Sequence, residues 1–230
     1  MNKILQRFRI LMVPGLFIFN ITISSAQNKY GLNVLDKKDS YKRSVAQDSS
    51  KKMIELRTLI PDLVYDLRYA TINNFMRRRM YYGNIRQTFL RRPAAEALAK
   101  VQLELKAKGK GLKIYDAYRP YSVTVKFWEL VKDEQYVANP AKGSAHNRGL
   151  AVDLTLIDLE TRKELDMGTG FDNFTDSAHH SFNHPDSEVR QNRKLLKESM
   201  KKYGYEMFEA EWWHYSWPNT RDFEILDLKL

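Results

Sequence analysis

A chain of 230 residues that is 43% hydrophobic and 12% aromatic carries enough apolar side chain for one domain with a sizeable core. With no cysteine, it excludes a disulfide-stapled fold and leaves nothing at a cleavage point to carry a lipid. The formal net charge of +10 could attract an anionic wall polymer, a membrane surface or nucleic acid, but no nucleic-acid motif accompanies it. In chain order, Lys3, Arg7 and Arg9 precede a mainly apolar run from Ile10 to Ile23 and the small residues Ser24-Ser25-Ala26. Residues 1–26 therefore read as a secretory signal peptide. The apolar run is shorter than the roughly 20 residues a membrane span needs, and Pro14, Asn20 and Thr22 weaken it further. The expected product is soluble and exported, with no stable membrane insertion after signal removal; an uncleaved N-terminal anchor is the lesser alternative. Removal of the three signal cations lowers the charge from +10 to +7. The remaining clusters, Arg77-Arg78-Arg79, Arg91-Arg92 and Lys106 to Lys110, read as solvated surface.

Residues 27–52 are rich in Lys, Asp and Ser and read as a flexible polar leader. Residues 53–230 form the expected single domain. Ile54, Leu56, Leu59 and Ile60 open it, Pro61-Asp62 turns the chain, and Val64 to Tyr69 alternates as a strand. Pro93 fits the first turn of a helix whose Ala94, Leu98, Val101 and Leu105 share one face and which Gly109 and Gly111 stop. Leu112 to Asp116 is a short strand delivering Asp116 and Arg119 to its C-terminal end. Ser122 is placed to cap a second helix with a stripe of Val123, Phe127, Leu130 and Val131. Asn139-Pro140 and Gly143 make a loop presenting Ser144 and His146 to the strand Gly149 to Leu156, where Asp153 projects opposite Leu150, Val152 and Leu154. Residues 158–183 are Gly-, Asp-, Thr- and Asn-rich, too long for a simple connector, and read as part of a site rim. Val189, Leu196, Met200 and Tyr203 mark a third helix ending at Gly204, and Tyr205 to Trp217 returns as strands carrying Glu211 and His214. Short alternating strands with three intervening amphipathic helices predict an α+β fold.

Two imidazoles and a carboxylate, His146, Asp153 and His214, are a sufficient ligand set for a catalytic zinc with one position open, and Glu211 is then free to act as base. A lone histidine beside a strand is more often an ordinary hydrogen-bonded residue than a ligand. A competing set, His179, His180 and His184, would share a helix face in part, but Ser177, Ser181, Asn183 and Pro185 speak against a helix there. Order and spacing add a further signal. Ser144-x-His146 followed by Asp153 and then by Glu211-x-x-His214 resembles the zinc D-alanyl-D-alanine dipeptidases, relatives of the zinc D,D-carboxypeptidases and of the hedgehog-type fold. Asp66-Leu67-Arg68-Tyr69-Ala70-Thr71-x-x-Asn74-Phe75, Tyr115-Asp116-Ala117-Tyr118-Arg119-Pro120 and Met167-Gly168-Thr169-x-Phe171-Asp172 look like further blocks of that family, in its order, over about residues 54 to 217.

The resemblance implies a small antiparallel sheet holding one zinc per chain, with about three helices packed on its other side. It implies hydrolysis of D-alanyl-D-alanine by metal-activated water with Glu211 as general base, and a periplasmic location. It assigns Arg119 to the tetrahedral oxyanion, although the same arginine could instead pair with Asp116. Ser144 would bind the substrate backbone, and Asp172 and Tyr69 its free amino group. The basic Met76-Arg77-Arg78-Arg79 stretch departs from the pattern. A zinc D,D-carboxypeptidase trimming peptidoglycan stems and a non-catalytic exported wall-binding module remain as alternatives, and the oligomeric state stays open.

Overall fold

The computed structural model describes residues 28–230; the expected signal peptide lies outside the described residues. In chain order the strands and helices are β1 (Val34–Leu35), α1 (Lys38–Gln47), β2 (Met53–Glu55), α2 (Leu56–Leu59), β3 (Val64–Tyr65), β4 (Phe89–Arg91), α3 (Arg92–Lys106), β5 (Lys110–Asp116), α4 (Tyr121–Val131), α5 (Ala145–Arg148), β6 (Ala151–Asp158), α6 (Ser187–Lys202), β7 (Glu206–Phe208), β8 (Glu211–Ser216) and β9 (Ile225–Leu226). The α+β architecture is built on a five-stranded sheet of order β3-β5-β6-β8-β7. Its strands pair antiparallel except at one edge, where β3 runs parallel to β5. The expected sheet is thus mixed: the chain leaves β3 through a 3-10 turn at Arg68–Ala70 and takes α3 to come back, a crossover that sets the two strands parallel.

The side chains explain the layers. Val152, Leu154 and Leu156 of β6 join Leu112 and Ile114 of β5, and Leu98, Val101 and Leu105 of α3 and Leu196 and Met200 of α6 belong to the same buried core. With a period of two along β6, Asp153 faces the other side of the sheet. There a second, smaller apolar cluster, with Tyr69, Met80, Tyr81, Val123, Phe127 and Val137, brings α4 to the edge of the site. Two details of α4 differ from expectation. Ser122 lies inside the first turn, where its N–H and Oγ both donate to Asp227 Oδ1 at 3.0 and 2.7 Å, so the cap is supplied by the C-terminal tail. Leu130 is 45% exposed and leaves the core stripe.

The leader is where composition misleads most. Residues 28–52 are not a flexible tract: α1 occupies 38–47, β1 pairs in parallel with β9, and the Tyr41 hydroxyl accepts from Met53 N–H at 2.7 Å. Its helix buries no residue, so no apolar periodicity announced it. The segment is instead tied down by polar bonds to the C-terminal tail, including Ser44 and Lys51 to the Glu224 carboxylate.

Arg91 completes that junction, and it corrects its reading as solvated surface. It is 0% exposed. Its guanidinium donates to the carbonyls of Lys51, Arg148 and Glu224 and pairs with Glu224 Oε2 at 3.3 Å. One side chain thereby joins the leader, α5 and the tail. Removing one partner of a buried ion pair costs ~3–5 kcal/mol. Arg91→Ala is expected to lose that much in urea unfolding, with the transition still cooperative; a loss below ~1 kcal/mol would place it with ordinary surface pairs.

Candidate active site

Each ligand candidate is aimed by local structure. Ser144 caps α5 in a reciprocal box: its Oγ accepts from Asn147 N–H at 3.2 Å, and Asn147 Oδ1 accepts from Ser144 N–H at 3.0 Å. Gly149 ends the turn at φ +69°, and a Cβ there would meet Met53 Cε at 2.5 Å, so both conformation and space favour glycine. That single turn projects His146 toward β6. Its Nδ1 donates to the Ala117 carbonyl at 2.6 Å, which leaves Nε2 free to face Asp153 Oδ2 at 3.4 Å.

Asp153 and His214 are direct partners across β6 and β8, with Asp116 opposite Asp153 on β5. His214 Nδ1 lies 2.9 Å from Asp153 Oδ1, and the two imidazole rings are 5.1 Å apart. Ligand atoms of His146, Asp153 and His214 all lie within 4.8 Å of one another, and among the described residues this is the group of three that could hold a metal ion. Asp153 is 3% exposed. Burial opposes its ionisation, but the two imidazoles hold the carboxyl below the usual range. A buried carboxylate with two imidazole rings turned toward it is a donor set that suits a divalent cation. The competing histidines are not gathered. His179 is half-exposed near Asp176, His184 Nδ1 accepts from Asp186 N–H, and burial followed by the nearby Lys197 pushes His180 down to about 4.

Glu211 starts β8, with Oε2 4.0 Å from His214 Nδ1. Burial raises its pKa, although His214 opposes the shift. Arg119 makes the pairing with Asp116 that the sequence left open. Nε and Nη2 donate to Asp116 Oδ2 at 3.0 and 2.8 Å, while Nη2 stands 3.9 Å from Asp153 Oδ2 at the metal group. The guanidinium lies over the rings of Tyr69 and Phe127 at 4.9 and 5.2 Å. Burial disfavours its charge, but Asp116, Tyr69, Tyr81 and Asp153 together more than offset this and the pKa is raised. Tyr81 donates a short hydrogen bond to the other Asp116 oxygen. Asp116 and Tyr81 thus form a seat for Arg119; the pairing with Asp116, three residues before the arginine, was open to sequence reading, whereas the part of Tyr81 was not.

Asp172 lies in the left-handed region at φ +61°. Its Oδ1 accepts from the Tyr69 hydroxyl at 2.7 Å, and its buried Oδ2 has no hydrogen-bond partner among the described residues. Burial pushes this carboxyl up to about 7. Tyr69, Arg119, Ser144, His146, Asp153, Asp172, Glu211 and His214 all line one cavity of about 260 Å³. The sequence did not reveal the aromatic wall completing it. Tyr136 packs on Phe174 at 5.0 Å, a contact between two loops with no periodic pattern, and Phe208 at the end of β7 stands 5.8 Å from the His214 ring on β8.

The family model described as Peptidase M15, D-ala-D-ala dipeptidase, matches residues 49–227. This chain belongs to that family. It is 35% identical over 175 residues to the D-alanyl-D-alanine dipeptidase of Escherichia coli K12, covering 76% of this chain and 89% of the relative. It is 31% identical over 169 residues to the enzyme of that name from Enterococcus faecalis V583, covering 66% and 84%. The solved structure of the LdcB LD-carboxypeptidase aligns with a TM-score of 0.43 and 20% identity over 72% of this chain and 67% of that one. The M15 match spans every residue of the cavity and begins inside the stretch that composition alone assigned to the leader.

Proposed function

We propose that this M15 chain is an exported zinc D-alanyl-D-alanine dipeptidase that holds one zinc on His146, Asp153 and His214. The observation that carries the reading is the convergence of that group, Glu211, Arg119 and the half-satisfied Asp172 in one cavity. When bound, zinc supplies Lewis acidity toward water and the scissile carbonyl. Glu211 takes the proton of the attacking water and delivers it to the leaving amine, a task helped by a pKa lifted toward the working pH. Arg119, held by Asp116, donates to the oxyanion that develops on the carbonyl. Ser144 accepts from Asn147 and so keeps its own hydroxyl proton for the substrate backbone. Asp172 Oδ2, with Tyr69 fixing the other oxygen, receives the substrate ammonium. The basic, apolar and small-residue succession of residues 1–26 supports a periplasmic location.

Asp172 separates a dipeptidase from a carboxypeptidase. A dipeptide offers an ammonium one residue from the scissile bond, whereas a stem peptide offers a neutral amide and leaves the buried carboxylate unpaired, a mismatch of ~1–3 kcal/mol. D-alanyl-D-alanine is therefore expected to be cleaved, with its N-acetyl derivative and a pentapeptide ending in the same residues poor substrates. Asp172→Asn narrows the gap by weakening the free dipeptide more than the acetylated one.

The pH dependence has a definite sign. Below about 7 Asp172 is protonated in the free protein and offers no charge, so affinity for the dipeptide rises as pH rises through that value. Affinity falls again above ~8 as the substrate amine loses its proton. Asp172→Asn removes the acid limb of the KM profile.

Elemental analysis combined with hydrolysis assays on the three substrates tests the function as a whole. About one zinc per chain with selective dipeptide cleavage is the expected result. Comparable kcat/KM for free and acetylated dipeptides would instead favour the carboxypeptidase, and full activity in metal-free protein would remove the metal reading.

A further inference from the structure

Arg193, on α6, is not among the residues lining the cavity and is 6% exposed. Its guanidinium is committed to main-chain oxygen: Nε donates to Met167 O at 2.7 Å, Nη2 to Ser177 O at 2.8 Å and Nη1 to His179 O at 3.1 Å. No carboxylate forms a salt bridge with it among the described residues. A buried charge resting on carbonyls alone is costly, and an apolar side chain would serve general packing better. The three carbonyls are the two ends of one loop.

Between these ends run Asp172 and Phe174, which line the cavity, and Thr169 and Phe171, which pack beside them. Thr169 Oγ1 accepts from the Trp212 indole at 2.7 Å, next to Glu211 on β8. Phe171 packs on the rings of Tyr69, Tyr115 and Trp213, and Phe174 on those of Phe75 and Tyr136. Asp172 lies between them with φ +61°, the left-handed region that aspartate tolerates better than most non-glycine residues. Its own hydrogen bond fixes one oxygen, and the loop that carries it is held at both ends by the Arg193 bonds. Asn192, the neighbour of Arg193, adds a bond to Asp166 O at 2.9 Å at the same end.

We propose that Arg193 is a positioning residue for substrate selection: by clamping Met167, Ser177 and His179 it holds Asp172 where its free oxygen meets the substrate ammonium. The proposal rests on the reading of Asp172 given above. Arg193 touches neither substrate nor the metal group, so it acts on recognition and not on the chemical step.

The test measures kcat and KM for D-alanyl-D-alanine and its N-acetyl derivative, well below the lowest unfolding midpoint, in the parent, Arg193→Gln, Arg193→Lys, Asp172→Asn and the Arg193→Gln/Asp172→Asn double variant. Arg193→Gln is expected to raise KM for the free dipeptide about tenfold with kcat within about threefold, and to leave the acetylated dipeptide nearly unchanged. In the Asp172→Asn background the same substitution adds little, because the two residues act through one interaction. Arg193→Lys keeps the buried charge but replaces the fork with a single ammonium, and falls between parent and Gln. A clamp that serves stability alone would lower the unfolding midpoint and leave the preference for the free dipeptide intact, or would add in full to Asp172→Asn; either result overturns the proposal. If the parent itself treats the two substrates alike, the ammonium reading fails and takes this one with it. If the parent discriminates and Arg193→Gln discriminates equally, only the role of Arg193 falls.

Discussion

Glu211→Gln is expected to keep its metal and lose a factor of ~10² to 10⁴ in kcat. The substitution preserves size and hydrogen-bonding capacity but removes basicity. Glu211 stands outside the three-residue group whose ligand atoms converge, with its carboxylate 4.0 Å from His214 Nδ1. Burial holds its pKa above the ordinary carboxylate value, which brings a base closer to the pH at which it must both accept and release a proton. Elemental analysis of the folded variant alongside turnover separates the roles. Metal retained with activity lost identifies the base; metal lost with it would make Glu211 a ligand.

Arg119→Ala is expected to lower kcat by ~10² to 10³ with a much smaller change in KM. The reason is timing: the charge it meets develops on the carbonyl during the reaction, so the ground-state complex loses little. The seat of Arg119 gives the prediction a second part. Asp116 is 1% exposed and takes both guanidinium bonds on one oxygen, so the alanine variant leaves a buried carboxylate with only Tyr81, among the described residues, as its remaining hydrogen-bond partner. A loss of stability should therefore accompany the loss of turnover. Arg119→Lys restores a charge beside Asp116 without the planar fork, and should recover stability more fully than kcat. An effect confined to KM would reduce Arg119 to a substrate-binding residue.

Much of this protein was legible from local rules, because those rules act over a few residues. Pro93 and the Ala94, Leu98, Val101, Leu105 stripe specify α3, and the alternation along β6 puts Asp153 on the face opposite Val152 and Leu154. The ligand candidates, Glu211 as candidate base, and Asp172 and Tyr69 as candidates for the amino group were named from type, order and family pattern, and they meet in one cavity. Other features depended on residues far apart in the chain. The helix of residues 38–47 has no buried face; bonds to Glu224 and a strand pairing with Ile225–Leu226 hold its segment, and composition cannot register partners so distant. The burial of Arg91 has the same origin, since its three carbonyls come from the leader, α5 and the tail. So does the cap of α4, where Asp227 serves Ser122. The separation of Asp172 from water, which lifts its pKa to about 7, arises where the 158–183 loop folds back on Tyr69. Sequence order thus determined which groups could do the chemistry. Tertiary packing decided which are buried, which are paired and how each is charged, because desolvation and hydrogen bonding depend on neighbours in space rather than along the chain.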